Sequence, residues 1–250
     1  MKYFIITGTS RGIGESLAAR LMGENHHLIC ISRTVNQGLM DQAKEKNCTL
    51  DYFSYDLLNL SGIDQLFDDI FHKIQLNSNV DAIYLINNAA MLTPVSPIEH
   101  IETEQIIDNI HLNLVAPMVI SSNYLKRTKH MNVDKRILNI SSASAKYLLP
   151  SQSCYSTAKA GLDSFTKSIA LEQELVDFPA KIAAVYPGMI DTKLQSDIRS
   201  VSLEHFPYVN EFIKLSEEGK LQSPEYTASR LTEILLNDDF GKTVILESID

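Results

Sequence analysis

The chain predicts an α/β fold: a single-domain, Rossmann-type, doubly wound parallel sheet of about seven strands with helices on both faces. Three observations predict it. Short, near-continuous apolar runs recur along the 250 residues, as strands covered on both faces require. Longer segments of helical periodicity separate those runs. A glycine-rich loop, TGTSRGIG (7–14), follows the first run directly and opens the first periodic segment. That is the setting a nucleotide-binding loop needs.

The elements follow in order. KYFIIT (2–7), HLICIS (27–32), LDYFSY (50–55) and AIYLIN (82–87) read as the first four strands. RILNIS (136–141), KIAAVY (181–186) and TVILE (243–247) read as the last three. Helical periodicity covers 14–23, 60–74, 102–129 and 158–175. No linker, repeat or low-complexity block divides the chain, so residues 1–250 are expected to form one domain. Segment 192–224 is different, being polar with scattered apolar residues. It reads as an insertion of short helices and a substrate lid, because ligands in such sheets bind beyond the carboxyl ends of the strands.

Composition narrows the function. A formal net charge of −9 argues against sequence-independent nucleic-acid binding, which relies on Lys and Arg meeting phosphates. No stretch approaches the roughly 20 apolar residues of a membrane span, and the first ten residues lack the pattern of a secretory signal. Three cysteines without CxxC pairing suit a reducing cytoplasm. Seven histidines form no HxH or HExxH pattern, so no metal site is expected.

In the glycine loop, Gly8, Gly12 and Gly14 let backbone N–H groups approach a pyrophosphate, flanked by Ser10 and Ile13. The following helix N-terminus favours that charge. The loop is followed by NNAA (87–90), ISS (140–142), YSTAK (155–159) and PGMIDT (187–192). This ordered set resembles the short-chain dehydrogenase/reductase family, from residue 2 to about 192. One departure is Ala90, where the family usually has glycine. The resemblance implies cofactor contacts at Asp56, Asn87 and Ala89. It implies more at Pro187, Gly188, Ile190 and Thr192, with Thr192 at the nicotinamide carboxamide. A turn or cap role for Asp56 and a sheet-holding role for Asn87 stay open.

The second strand ends Ser32-Arg33-Thr34, with no acid. An acid there would bind a ribose 2′-hydroxyl, whereas arginine accommodates a 2′-phosphate. Arg33 and the loop's Arg11 offer two guanidiniums to one phosphate. The expected cofactor is therefore NADPH/NADP+.

Reducing a carbonyl leaves charge on oxygen, which calls for a proton donor and a stabilising partner. A free phenol, with a pKa near 10, is a weak acid at neutral pH. A nearby ammonium lowers it, and Lys159 lies four residues past Tyr155, on the same helix face. Ser142, at the end of the fifth strand, can hydrogen-bond the substrate oxygen. Ser141 competes, since alternation turns the two opposite ways; the family motif favours Ser142. The resemblance also implies that Asn113, in HLNLVAP, holds a water linking the lysine to solvent. It further implies a homodimer or homotetramer formed through helices at 112–129 and 156–175.

The tail, DTKLQSDIR (191–199) and EEGKLQSPEYTA (217–228), resembles the sepiapterin-reductase-like branch and the bacterial benzil reductases within it. That implies a small-molecule carbonyl substrate, one carbonyl of a 1,2-diketone such as benzil. Leu148, Leu149, Met189 and Phe206 are candidate walls or plain core. A pterin would favour a carboxylate, for which Glu247 and Asp250 are candidates. Alcohol oxidation and a cofactor-sensing regulator without turnover are the competing readings.

Overall fold

The computed structural model describes residues 1–75 and 79–249. The chain alternates β1 (Lys2–Thr7), α1 (Gly12–Leu21), β2 (His26–Ser32), α2 (Gln37–Glu45), β3 (Thr49–Ser54) and α3 (Ile63–Gln75). It then returns through β4 (Ala82–Asn87), α4 (Thr103–Ile110), α5 (Ala116–Thr128), β5 (Asp134–Ile140) and α6 (Ser153–Gln173). β6 (Lys181–Val185), α7 (Lys193–Arg199), α8 (Val209–Glu217), α9 (Pro224–Leu236) and β7 (Ile245–Leu246) complete it.

The strands form one parallel sheet in the order β3-β2-β1-β4-β5-β6-β7. The chain winds outward from β1 to β3, then restarts at β4 on the other side of β1. The direction reverses between β1 and β4, which opens a crevice at their carboxyl ends. Alternation along β1 sends Phe4 and Ile6 to a core under α1, α2 and α9, and Tyr3 and Ile5 to a core under α3, α5 and α6. On α3, Phe67, Ile70 and Ile74 fall on one buried face. Each such side chain contributes roughly 1.5–3 kcal/mol.

Some elements differ from the sequence reading. The periodic segment 102–129 is broken: α4 widens into a π-helical turn at His111–Val115 before α5 begins. Pro117 has no N–H to return to the carbonyl four residues back, so a regular ladder cannot pass this point. The helix read at 158–175 starts earlier, at Ser153. That puts Tyr155 in its first turn. α2 was not anticipated because it buries only Leu39 and Ala43. α9 is announced by a cap: Ser223 Oγ accepts from Tyr226 N at 3.1 Å, with proline in its first turn. β7 keeps only two of the five residues read as strand. Within 192–224, α7 and α8 pack over Phe206 and Val209, in a small cluster that includes Leu92 and Tyr155.

Candidate active site

The glycine loop owes its shape to close approach. Gly8 and Gly12 have φ of 75° and 62°, in the left-handed region. A Cβ on Gly14 would lie 2.2 Å from the Gly8 carbonyl oxygen. Gly14 is thus a packing residue, seating α1 against the loop. Thr7 Oγ1 accepts from Asn88 N at 3.0 Å and Ala89 N at 3.1 Å, while Asn88 Nδ2 donates to Thr7 O at 2.9 Å. The loop is thereby fixed to the strand across the crevice.

A cavity of about 1930 Å³ runs from this loop to Tyr155. That is about twice the upper end for a drug-sized ligand, room for a dinucleotide together with a substrate. Gly8, Ser10, Arg11, Gly12 and Ile13 line one end, with Arg33, Asp56 and Ala89 nearby. Pro187, Gly188, Ile190 and Thr192 line the far side. Exposed backbone at glycines, a helix N-terminus and two arginines fit a nicotinamide dinucleotide. No ion pair among the described residues occupies Arg11 or Arg33. Asp56 also closes its own turn, accepting from Leu58 N at 3.1 Å.

Asn87 is placed elsewhere. Its Nδ2 donates to Asn139 Oδ1 at 2.8 Å and Ser121 Oγ at 3.1 Å, behind the strand ends. Its neighbour Asn88 faces the cavity instead. Sequence reasoning missed Asn88; strand alternation past Asn87 was the available signal. It also missed Tyr52, whose hydroxyl shares a 2.5 Å hydrogen bond with Ser32 and accepts from Thr9 Oγ1 at 3.1 Å. Those bonds fix the end of β2 where Arg33 leaves the sheet.

At the other end, α6 brings Tyr155 and Lys159 onto one buried face, with exposures of 7% and 2%. Lys159 Nζ donates to Ile140 O at 2.8 Å and lies 5.7 Å from the centre of the Tyr155 ring. Burial pushes the Tyr155 phenol up, and its hydrogen bond with Ser142 only partly counters this. The expected lowering by the ammonium is therefore not met in this state. Burial acts on the lysine too: it lowers Lys159 to about 8, against an opposing pull from Asp163. Packing the pair into the protein disfavours the charged form of each.

The two serines are separated as alternation requires. Ser141 is buried, with its Oγ donating to Asp163 Oδ1 at 2.6 Å. Ser142 Oγ lies on the Tyr155 side and accepts from Ser144 N at 3.1 Å. Asn113 sits within the π-helical turn. Its Nδ2 donates to Met91 O at 2.7 Å and its Oδ1 accepts from Met91 N at 3.0 Å. Asn113 does not reach the large cavity. It borders a void of about 10 Å³ shared with Asn87 and Lys159, close to the space one water needs.

Of the candidate walls, Leu148, Leu149 and Met189 line the cavity. Phe206 does not; it is fully buried in the cluster beneath α7 and α8. Leu92, Leu194 and Phe212 line the cavity in its place. Glu247 is held by Lys146, whose Nζ lies 2.7 Å and 2.8 Å from its two carboxylate oxygens. Asp250 lies outside the described residues.

A dinucleotide cradle that opens onto buried hydroxyls defines a class, the nicotinamide-dependent oxidoreductases acting on CH–OH and C=O groups. The chain belongs to the short chain dehydrogenase family, whose model matches residues 2–202. It is 42% identical to a benzil reductase ((S)-benzoin forming) of Bacillus cereus over 98% of both chains. It is 34% identical to a Bacillus subtilis enzyme of the same name, covering 94% of this chain and 93% of that one. A sepiapterin reductase of Rattus norvegicus is 26% identical over 94% of this chain and 92% of its own. Among solved structures, a short chain dehydrogenase/reductase of Saccharomyces cerevisiae superposes with a TM-score of 0.83 at 22% identity, over 100% of this chain and 96% of that one. That last likeness concerns the fold.

Proposed function

We propose that the protein is an NADPH-dependent carbonyl reductase that reduces one carbonyl of an aromatic 1,2-diketone, such as benzil, to (S)-benzoin. The observation that carries this reading is the meeting of Ser142, Tyr155 and Lys159 at the apolar end of a cavity whose other end holds Arg11 and Arg33. The substrate class rests on the 42% identity to a protein named for that reaction. The preference for the 2′-phosphate rests on the two unpaired guanidiniums and the absence of an acid after β2. Among the described residues, the Glu247 candidate for holding a pterin is paired with Lys146.

When bound, the nicotinamide ring supplies the hydride that the carbonyl carbon receives. Tyr155 Oη donates the proton to the carbonyl oxygen. Ser142 Oγ donates a hydrogen bond to the same oxygen as its charge develops. Lys159, charged below about 8, lies beside the ring and favours the phenolate formed as the proton leaves. Asn113 borders the void through which Lys159 can be resupplied with protons. Cofactor contacts are assigned to the glycine loop, Arg33, Asp56, Ala89 and residues 187–192, with Asn88 in the role first read for Asn87. Residues 192–224 form the lid that keeps water from the ketone.

The protein is further read as a cytoplasmic homodimer or homotetramer. Its three cysteines are free and buried. Exposed apolar residues at Met118 on α5, at Leu171 in the last turn of α6 and at Leu175 just past it support burial of these helices between copies. The test is loss of NADPH absorbance with benzil, with product chirality read on a chiral column. Absence of turnover with any aromatic diketone, or equal efficiency with NADH, overturns the respective part.

A further inference from the structure

We propose that Asp163 is a positioning residue for this reaction: its buried carboxylate, braced by Ser141 and Tyr186, holds the Lys159 ammonium in its charged form beneath Tyr155. The inference rests on the catalytic reading of Tyr155 and Lys159 given above. It deepens that reading by adding the anion that the lysine faces.

Tyr155, Lys159 and Asp163 follow one another at intervals of four on α6, so they share one face of the helix. Asp163 is 8% exposed. Its Oδ1 accepts from Ser141 Oγ at 2.6 Å and its Oδ2 from Tyr186 Oη at 2.5 Å. Both donors are neutral. Among the described residues, none of the ion pairs closes on Asp163. A carboxylate buried this way is costly without compensation; in helix register its cations are Lys167 on one side, which is exposed, and Lys159 on the other, the only one buried with it. The ammonium is fixed by the Ile140 carbonyl at 2.8 Å, one residue before Ser141. One strand end therefore holds both charges of the pair.

The surroundings leave few other electrostatic influences. Lys159 is faced by Tyr155 and Asp163 from α6, by the Ile140 carbonyl from β5, and by Asn113 across the small void. Asp163 is faced by Ser141 from β5 and by Tyr186 just past β6. Burial first, and Asp163 second, push the Tyr186 hydroxyl up, with Glu247 and Tyr147 adding to the effect. Tyr186 is thus a neutral donor throughout the working range. Asp163 is also the opposing influence on a lysine that burial otherwise depresses. The carboxylate thus widens the pH range over which the ammonium persists.

The test compares three variants by the pH dependence of kcat with NADPH and benzil. Asp163→Asn is expected to move the alkaline limb to lower pH. Its kcat should fall about tenfold at pH 8 and less than about threefold at pH 6, as for loss of one nearby opposite charge. Asp163→Glu, which keeps the charge, is expected to restore the limb. Tyr186→Phe removes a donor but leaves the carboxylate, so its limb should stay or move to higher pH. A loss in Asp163→Asn that is uniform across pH overturns the proposal. So does a downward shift in Tyr186→Phe, which remains decisive if Asp163→Asn does not fold. A separate readout is the titration of Lys159 in the protein without cofactor, by NMR of ¹³C-methylated lysines. It should titrate at lower pH in Asp163→Asn. That measurement holds even if Tyr155→Phe retains turnover and the catalytic reading itself fails.

Discussion

At the nucleotide end of the cavity the backbone does the shaping, whereas at the hydroxyl end side chains on one helix do. Gly8, Gly12 and Gly14 act through what they lack: positive φ at two of them, and a contact of 2.2 Å that any Cβ on the third would make. Tyr155, Lys159 and Asp163 act through functional groups whose chemistry depends on how deeply they are buried. The first end has no room for an added atom at Gly8 or Gly14. The second tolerates small changes in shape but not in charge. Geometry protects one function and electrostatics the other, so mutations at the two ends should fail in different ways.

The sharpest break in that contrast is Tyr155→Phe. It removes the proton donor without altering packing. Turnover should fall at least about 10³-fold, while NADPH affinity, read by fluorescence quenching, stays within about twofold. Retained turnover would show that shape alone suffices at the hydroxyl end. Gly14→Ala tests the other end. Its methyl has no room beside the Gly8 carbonyl, and overpacking of this kind costs about 3 kcal/mol. Calorimetry should show a melting temperature lowered by roughly 10 °C, together with weakened binding of any dinucleotide.

Arg33→Ala probes one of the two guanidiniums at the nucleotide end. Loss of a charged hydrogen bond of about 2 kcal/mol should raise the KM for NADPH about thirtyfold and leave that for NADH nearly unchanged. An equal rise for both cofactors would turn Arg33 into a structural residue. The smallest effect concerns Lys159→Met without cofactor. Burial holds the lysine at about 8 instead of 10.5, so between these values the unfolded chain binds more protons and stability rises with pH. The cost of the buried ammonium is full below about 8. The melting temperature of Lys159→Met relative to the parent should therefore fall as pH rises from about 8 toward 10.5. A gap that is constant with pH would mean that packing, not charge, sets the difference.

The two ends also differ in how much of them could be read in the residues. The strands, the loop and the face shared by Tyr155 and Lys159 follow from local spacing, which the chain carries explicitly. The break at His111–Val115 was less visible, although Pro117 signalled it. Asn87 was left open between a cofactor contact and a sheet-holding role, and Asn88 went unread, because side-chain direction at a strand end depends on where the pleat stops. Phe206 was read as a possible wall and is core, since composition cannot tell which side of a lid faces the ligand. The direction of the Tyr155 shift was missed for a deeper reason. Spacing brings charges near one another, but only the folded interior sets how much solvent each one loses. Asp163 was visible as the next residue on the same face, yet its two hydroxyl partners come from strands far away in sequence.

A single rigid rod, α6, carries Tyr155, Lys159 and Asp163 at fixed intervals, and this makes it a ruler. One inserted residue among them would swing its downstream neighbours by about 100° around the axis, so this stretch admits substitution but not length change. The connection between β6 and β7 is under no such rule. Its helices can be recut to receive ketones of other outlines while the ruler stays in register, which separates what the enzyme does from what it does it to.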